Sequence, residues 1–427
     1  MATLRVEGGY PLHGSVKISG NKNAILPMIA AAMLTEEEIV FSNVPDIVDV
    51  RIMLEIASEL GARVERDGER LVIEAKNLKS GEISQKLCSQ IRTSVLFVAP
   101  LLYRCGHVQI YPPGGDVIGR RRLDTHFYGL EKLGASIEVD RVYQFDLQDG
   151  FKGSDLFFDE ASVTATEHIL MGAVLAEGHT VMRNVASEPH VQDLAKLLNS
   201  MGAKISGIGT NQLNIEGVST LHGTEHRVCS DHIEAASFLA IAAATGGSIT
   251  VEGTEKHHYW MARRIFETLG VQIDLQHDKI YLPPNQSLKV QSDFGGAMPR
   301  IDDGPWPQFP SDMMSCMIVL ATQVQGTVLF FEKMFESRLY FVDKLIAMGA
   351  NAVVCDAHRV VVSGKSQLRP MNLVSPDIRA GMALIGAALC AKGISEVHNI
   401  HMIDRGYEHI ESRLQAIGAR VTRIEEV

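Results

Sequence analysis

The decapeptide MLEIASELGA, residues 53–62, is the end of an amphipathic helix closed by glycine. Gly61 stands where a helix stops in the left-handed conformation, which glycine adopts without a Cβ clash. The same ending recurs at Leu60-Gly61-Ala62, Leu133-Gly134-Ala135, Met201-Gly202-Ala203, Leu269-Gly270-Val271, Met348-Gly349-Ala350 and Ile417-Gly418-Ala419. The glycines are 73, 68, 68, 79 and 69 residues apart. A common tripeptide can recur by chance, but near-constant spacing with the same flanking pattern marks an internal repeat. Alternating strand pairs follow most copies, as in ARVERD with RLVIEA and NAVVCD with RVVVSG.

Upstream of each ending lies a second, far more apolar helix. The six are NAILPMIAAAML, RTSVLFVAPLLY, TEHILMGAVLA, IEAASFLAIAAA, DMMSCMIVLATQ and RAGMALIGAALC. Strands such as EIVFSNV, SITVEGT and TVLFFEK come next. The unit is therefore helix, strand, helix, strand pair, repeated six times in an α/β chain. Helices apolar on every side are expected to be buried on every side, and the amphipathic ones to cover sheet faces.

Bulk properties bound the function. The chain has 427 residues and a formal charge of -11, which argues against a nucleic-acid-binding surface. The apolar runs are too short to span a bilayer, and the N-terminus lacks the apolar core of a signal peptide. A soluble, cytoplasmic protein is expected. The cysteines at 88, 105, 229, 316, 355 and 390 form no C-x-x-C pair and are expected to be buried free thiols. No metal is expected: H-E-x-x-H and Cys/His clusters of ligand spacing are absent, and His257-His258 has no partner motif. There is no P-loop, Rossmann fingerprint or G-x-S-x-G elbow, and no cofactor is implied.

The residues that break core logic sit at the N-termini of the apolar helices. Ser, Asp and Asn there are ordinary caps. Lys22, Arg92 and Arg379 are not, because a cation at a helix N-terminus opposes the macrodipole by about 0.3–1 kcal/mol. A bound anion would remove that conflict, which points to an anion site. Gly114-Gly115 followed by Arg120-Arg121-Arg122 adds a basic loop suited to phosphate or carboxylate, and Ile403-Asp404-Arg405-Gly406-Tyr407-Glu408 adds a further cation.

Six repeats, SGNKNA at 19–24, PGG-x-x-IG-x-R-x-x-D at 113–124, FPSDM at 309–313 and IDRGYE at 403–408 together resemble the UDP-N-acetylglucosamine enolpyruvyl transferases. The resemblance runs from about residue 4 to residue 425. It implies a two-domain inside-out α/β barrel of βαβαββ-type units, with residues 22–229 in one domain and 1–21 plus 230–427 in the other. Buried helices would form the centre of each domain, and the active site would lie in the cleft between them. The implied substrates are phosphoenolpyruvate and UDP-N-acetylglucosamine. Phosphoenolpyruvate would contact Lys22, Asn23, Arg121 and Arg405, with Arg338 and Arg379 supporting its charge. Asp312 matches the base that takes the proton of the sugar 3′-hydroxyl. Asn23, Arg92, the stretch Arg121, Arg122, Leu123, Asp124 and Thr125, the stretch Ser162, Val163 and Thr164, and Met334 match contacts to the nucleotide sugar. Asp377 is expected to hydrogen-bond within the site. Two other readings are a relative acting on another uridine nucleotide such as UMP, and a non-catalytic nucleotide-sugar-binding protein.

Several positions depart from the commoner pattern of the family. Thr164 stands where many members have Gly, Arg122 where many have Pro, Glu160 where Lys is frequent, and Asp302-Asp303-Gly304-Pro305-Trp306 is unusual. Asp116 stands where most members carry the Cys matched to the general acid that protonates C3 of phosphoenolpyruvate. A carboxylic acid has an ordinary pKa of roughly 4, so Asp116 must be raised to donate at neutral pH. Epoxide phosphonates of the fosfomycin type inactivate by alkylating that thiol, and a carboxylate is a poor nucleophile for it. Intrinsic resistance is expected. Time-dependent loss of activity with an adduct at Asp116 in mass spectrometry would contradict it.

Overall fold

A computed structural model describes residues 2–79, 81–115, 119 and 122–425. The chain divides into two compact units. Gly20–Asp116 with Arg121–Cys229 forms an inserted unit, and Met1–Ser19, Val117–Arg120 and Ser230–Val427 form a terminal unit. Each has its own hydrophobic core.

The six glycine endings are built alike. Gly61, Gly134, Gly202, Gly270, Gly349 and Gly418 all have positive φ, between 72° and 104°. In every copy the next amide reaches back five residues, as from Ala62 to the Ala57 carbonyl at 3.0 Å and from Val271 to that of Phe266 at 2.9 Å. This is the hydrogen bond that closes a Schellman-type helix end.

The apolar helices are α1 (Lys22–Ala31), α2 (Val98–Cys105, after a 3₁₀ turn Arg92–Phe97), α3 (Val163–Ala173), α4 (His232–Ala244), α5 (Ser311–Thr322) and α6 (Ile378–Cys390). They are buried as their composition demands, and α4 is buried at every residue. Within the terminal unit α4, α5 and α6 pack on one another; within the inserted unit α3 packs on both α1 and α2.

Strands alternate with these helices along the chain. Among the described residues they form six separate sheets, five of four strands and one of three. Most pairings fall within one repeat, and every sheet ends at its own edges. The five four-stranded sheets also hold a short parallel edge strand ahead of the apolar helix, which the sequence pattern does not announce. Asp155–Phe157 beside His179–Arg183 and Arg300–Asp302 beside Gly326–Phe331 are examples. In two repeats this strand is exchanged. His13–Lys17 precedes α1 yet pairs with Ser248–Glu252 in the terminal unit, and Thr224–Arg227 precedes α4 yet pairs with Ile39–Ser42 in the inserted unit. The sixth repeat is completed from the other end of the chain, because Arg420–Glu425 pairs with Ala2–Gly8, which also pairs with Gly393–His398.

All six cysteines are free, but full burial holds only for Cys88 and Cys316; Cys105 and Cys355 are exposed. Both exposed thiols lie beside chain turns rather than on core faces. No helix among the described residues is long and apolar enough to cross a membrane.

Two glycines should respond differently to alanine. A Cβ on Gly134 would find its nearest neighbour at 3.8 Å, so Gly134→Ala should cost only the left-handed conformation, about 1 kcal/mol. A Cβ on Gly20 would lie 1.8 Å from the Asn43 carbonyl oxygen, so Gly20→Ala must displace backbone. The urea midpoint should fall modestly for the first and much further for the second.

Candidate functional site

In the inserted unit, Asn21 caps α1 by accepting from the amides of Asn23 (2.8 Å) and Ala24 (3.2 Å). Lys22 is the first helical residue, with its side chain only 10% exposed, and its ammonium lies 2.7 Å from Asp49 Oδ2. Asp49 is itself buried, on the helix Val48–Glu59. Asn23 is half-buried beside it. Arg92 opens the 3₁₀ turn before α2 and donates to the Arg122 carbonyl at 2.8 Å. Arg122 and Asp124 form an exposed ion pair, Leu123 is buried, and Thr125 is half-buried in the first turn of Asp124–Lys132. Ser162 caps α3 through the Ala165 amide, which leaves the amides of Val163 and Thr164 outside the helix's own hydrogen bonds.

Behind Thr164 is a buried polar chain. The Thr164 hydroxyl lies 3.1 Å from His126 Nε2, His126 Nδ1 lies 3.0 Å from His168 Nδ1, and the Ala99 amide donates to His168 Nε2 at 3.0 Å. Both rings are buried. Burial pushes the His168 pKa down to about 3. Burial, with smaller contributions from His168 and Arg92, lowers that of His126 well below its ordinary value.

In the terminal unit, Asp312 sits in the first turn of α5 and is held by two arginines. Its Oδ1 accepts from Arg338 Nη2 at 2.8 Å and its Oδ2 from Arg379 Nε at 3.1 Å. The Asp312 side chain is 27% exposed, those of Arg338 and Arg379 only 3% and 5%. Arg338 also stacks over Phe335 and Arg379 over Tyr407. Burial opposes the Arg379 charge, but Asp312, Tyr407 and Asp231 outweigh it and raise its pKa. Arg338 Nε and Arg379 Nη1 are buried and have no hydrogen-bond partner among the described residues. Such groups cost about 1–3 kcal/mol unless something accepts from them. Asp377 is the N-cap of α6 and accepts from the Arg379 and Ala380 amides. Arg405 is half-buried after the short helix His401–Asp404, and Asp404 is taken by Arg423. Met334 is exposed and its amide donates to Glu332.

Asp116 and Arg121 lie outside the described residues. The three helix-start cations are not quite equivalent: Lys22 and Arg92 are first in their segments, Arg379 second. Their conflict with the dipole is also relieved from within, by Asp49 for Lys22 and Asp312 for Arg379.

Sequence reasoning missed these protein partners. Asp49 had a signal, a carboxylate inside the apolar stretch IVDVRIML. Asp303 lay in the unusual stretch Asp302-Asp303-Gly304-Pro305-Trp306, and Glu332 had no signal. Glu332 accepts from Ser311 Oγ at 2.6 Å and from the Met334 and Phe335 amides, while Asp303 accepts from the Lys333 amide. Burial first, then the neighbouring Asp303 carboxyl, pushes the Glu332 pKa up. The pair His257-His258 does gain a third ligand-type neighbour, Glu255, 3.8–3.9 Å from the two rings.

The model of the EPSP synthase (3-phosphoshikimate 1-carboxyvinyltransferase) family matches residues 6–414. The chain belongs to that family of carboxyvinyltransferases. Within it, the UDP-N-acetylglucosamine 1-carboxyvinyltransferase of Borreliella burgdorferi is 50% identical over 425 residues, the whole of both chains. That of Treponema denticola is 51% identical over 417 residues, 97% of this chain and 98% of its own. Among solved carboxyvinyltransferase-like structures, the enolpyruvyl transferase NikO from Streptomyces tendae superposes with a TM-score of 0.87 at 21% identity, over 99% of this chain and 98% of its own. EPSP synthase from Acinetobacter baumannii gives 0.77 at 17% identity over all of both chains. These two share the α/β fold.

The depressed pKa of His168 sets a pH dependence. An unfolded histidine takes up a proton near pH 6.5 and the native ring not until about pH 3. The contribution is therefore complete above pH 6.5 and is lost as pH falls from there toward 3. Between pH 6.5 and 5, where the raised carboxylates are common to both proteins, His168→Gln should show a shallower fall in urea midpoint than the natural protein.

Proposed function

We propose that this chain transfers the enolpyruvyl group of phosphoenolpyruvate to the 3′-hydroxyl of UDP-N-acetylglucosamine, releasing phosphate. The observation that carries the reading is the Asp312 clamp, a partly exposed carboxylate between two buried guanidinium groups that each keep an unfilled N–H. The full-length identity to relatives bearing that activity in their names supports it.

In this reading C3 of the donor gains a proton and C2 becomes electrophilic. The sugar oxygen attacks C2 and passes its proton to Asp312. The C2–O bond to phosphate then breaks and C3 loses a proton, restoring the vinyl group. Lys22, Asn23, Arg121 and Arg405 hold the donor, and Arg338 and Arg379 balance its charge while fixing the orientation of Asp312. Arg92, the stretch 121–125, Ser162 to Thr164 and Met334 take the nucleotide sugar, and Asp116 is the proton source for C3. The reading carries a cytoplasmic location and the first committed step of peptidoglycan synthesis.

The test is inorganic phosphate released from phosphoenolpyruvate with UDP-N-acetylglucosamine, and separately with UMP. Release is expected only with the first. Asp312→Asn should lower kcat by about 100-fold or more, the range for loss of a general base. Release with UMP alone, or an Asp312→Asn variant of full activity, would reject the proposal.

A further inference from the structure

The chain of buried groups behind Thr164 has one self-consistent arrangement of protons. The Ala99 amide donates to His168 Nε2, so that nitrogen is bare. A neutral imidazole then carries its proton on Nδ1. This Nδ1 faces His126 Nδ1 at 3.0 Å, and of two nitrogens at that distance one donates and the other accepts. His168 donates, His126 Nδ1 is bare, and His126 keeps its proton on Nε2. Nε2 lies 3.1 Å from Thr164 Oγ1, so the threonine oxygen accepts. A protonated ring at either place would set two N–H groups against each other, which the burial of both rings already disfavours.

The consequence reaches the surface. Thr164 is half-buried, in the first turn of α3, and its oxygen already accepts from the interior. Its own O–H has no recorded acceptor among the described residues. We propose that the relay Ala99–His168–His126 fixes Thr164 as an obligate outward hydrogen-bond donor to the diphosphate of the nucleotide, making Thr164 a specificity-determining residue and His126 and His168 positioning residues. A diphosphate offers only acceptors, which is what an outward donor selects. Arg92, close enough to act on the charge of His126, supplies a cation to the same region. This rests on the uridine-nucleotide reading above and deepens it, because that reading does not require Thr164 to have a fixed polarity.

Binding of UDP by calorimetry tests it without relying on turnover. Thr164→Val keeps the shape and removes the donor; it should weaken UDP about tenfold or more, with the KM for phosphoenolpyruvate unchanged. Thr164→Ser should restore most of the affinity. His168→Phe should weaken UDP in the natural background but not when Thr164 is already Val, because the relay acts only through that hydroxyl. Histidine ¹⁵N shifts provide a readout that no loss of packing would mimic: Nδ1–H for His168 and Nε2–H for His126. Natural affinity in Thr164→Val, an equal effect of His168→Phe in both backgrounds, or the opposite tautomers would overturn the proposal. A natural protein that neither binds UDP nor releases phosphate would instead overturn the functional reading beneath it.

Discussion

A helix that is apolar on every side has to be covered on every side, and that requirement shapes both units. The flanks of α1 to α6 are consumed by packing, so polar chemistry has room only at their ends. The N-terminal ends carry amides that the helix cannot satisfy itself. Asn21, Ser162, Asp231 and Asp377 answer part of that demand as caps. Lys22, Arg92, Thr164, Asp312 and Arg379 occupy the first or second position of the same segments, where a ligand can meet both side chain and amide. Repetition thus yields six similar ends, and substitution at those ends differentiates them.

The charges at these ends are held by other buried charges. Lys22 with Asp49, and Asp312 with Arg338 and Arg379, are close pairs with little exposure. Such pairs add little net stability, since desolvation offsets most of the attraction, while loss of one partner leaves a costly lone charge. Their value here is geometric. A guanidinium clamped at one edge by a carboxylate and stacked on an aromatic face can present its remaining N–H groups in only one direction. Arg379 over Tyr407 is arranged in that way.

The architecture was legible where one residue had to satisfy a backbone requirement by itself. The glycine endings show this, because only a residue tolerant of positive φ can close those helices, and all six do so. Cations at helix starts were legible because they violate local electrostatics. What was hidden depends on partners remote in sequence. Glu332 gains meaning only when Ser311 is brought against it, and Asp303 only when the Lys333 amide is. His168 looks like an ordinary core residue until His126 and Ala99 are placed against it. The edge strands were illegible for another reason: Asp155–Phe157 and Asn372–Val374 are three residues each, too short for alternation to register. The inside-out arrangement implied by family resemblance is met by buried apolar helices and six open sheets.

The strand Ala2–Gly8 lies between Gly393–His398 and Arg420–Glu425, and the Thr3 hydroxyl meets His398 across 395 residues of chain. During synthesis this strand is therefore made long before either of its partners. The inserted unit can condense as soon as residue 229 emerges, since its sheets draw only on residues between 20 and 229. The opening strand must wait, unpaired at both edges, until the final repeat arrives. Loop-closure entropy makes such distant pairing slow, so the terminal unit completes its sheet later than the inserted one.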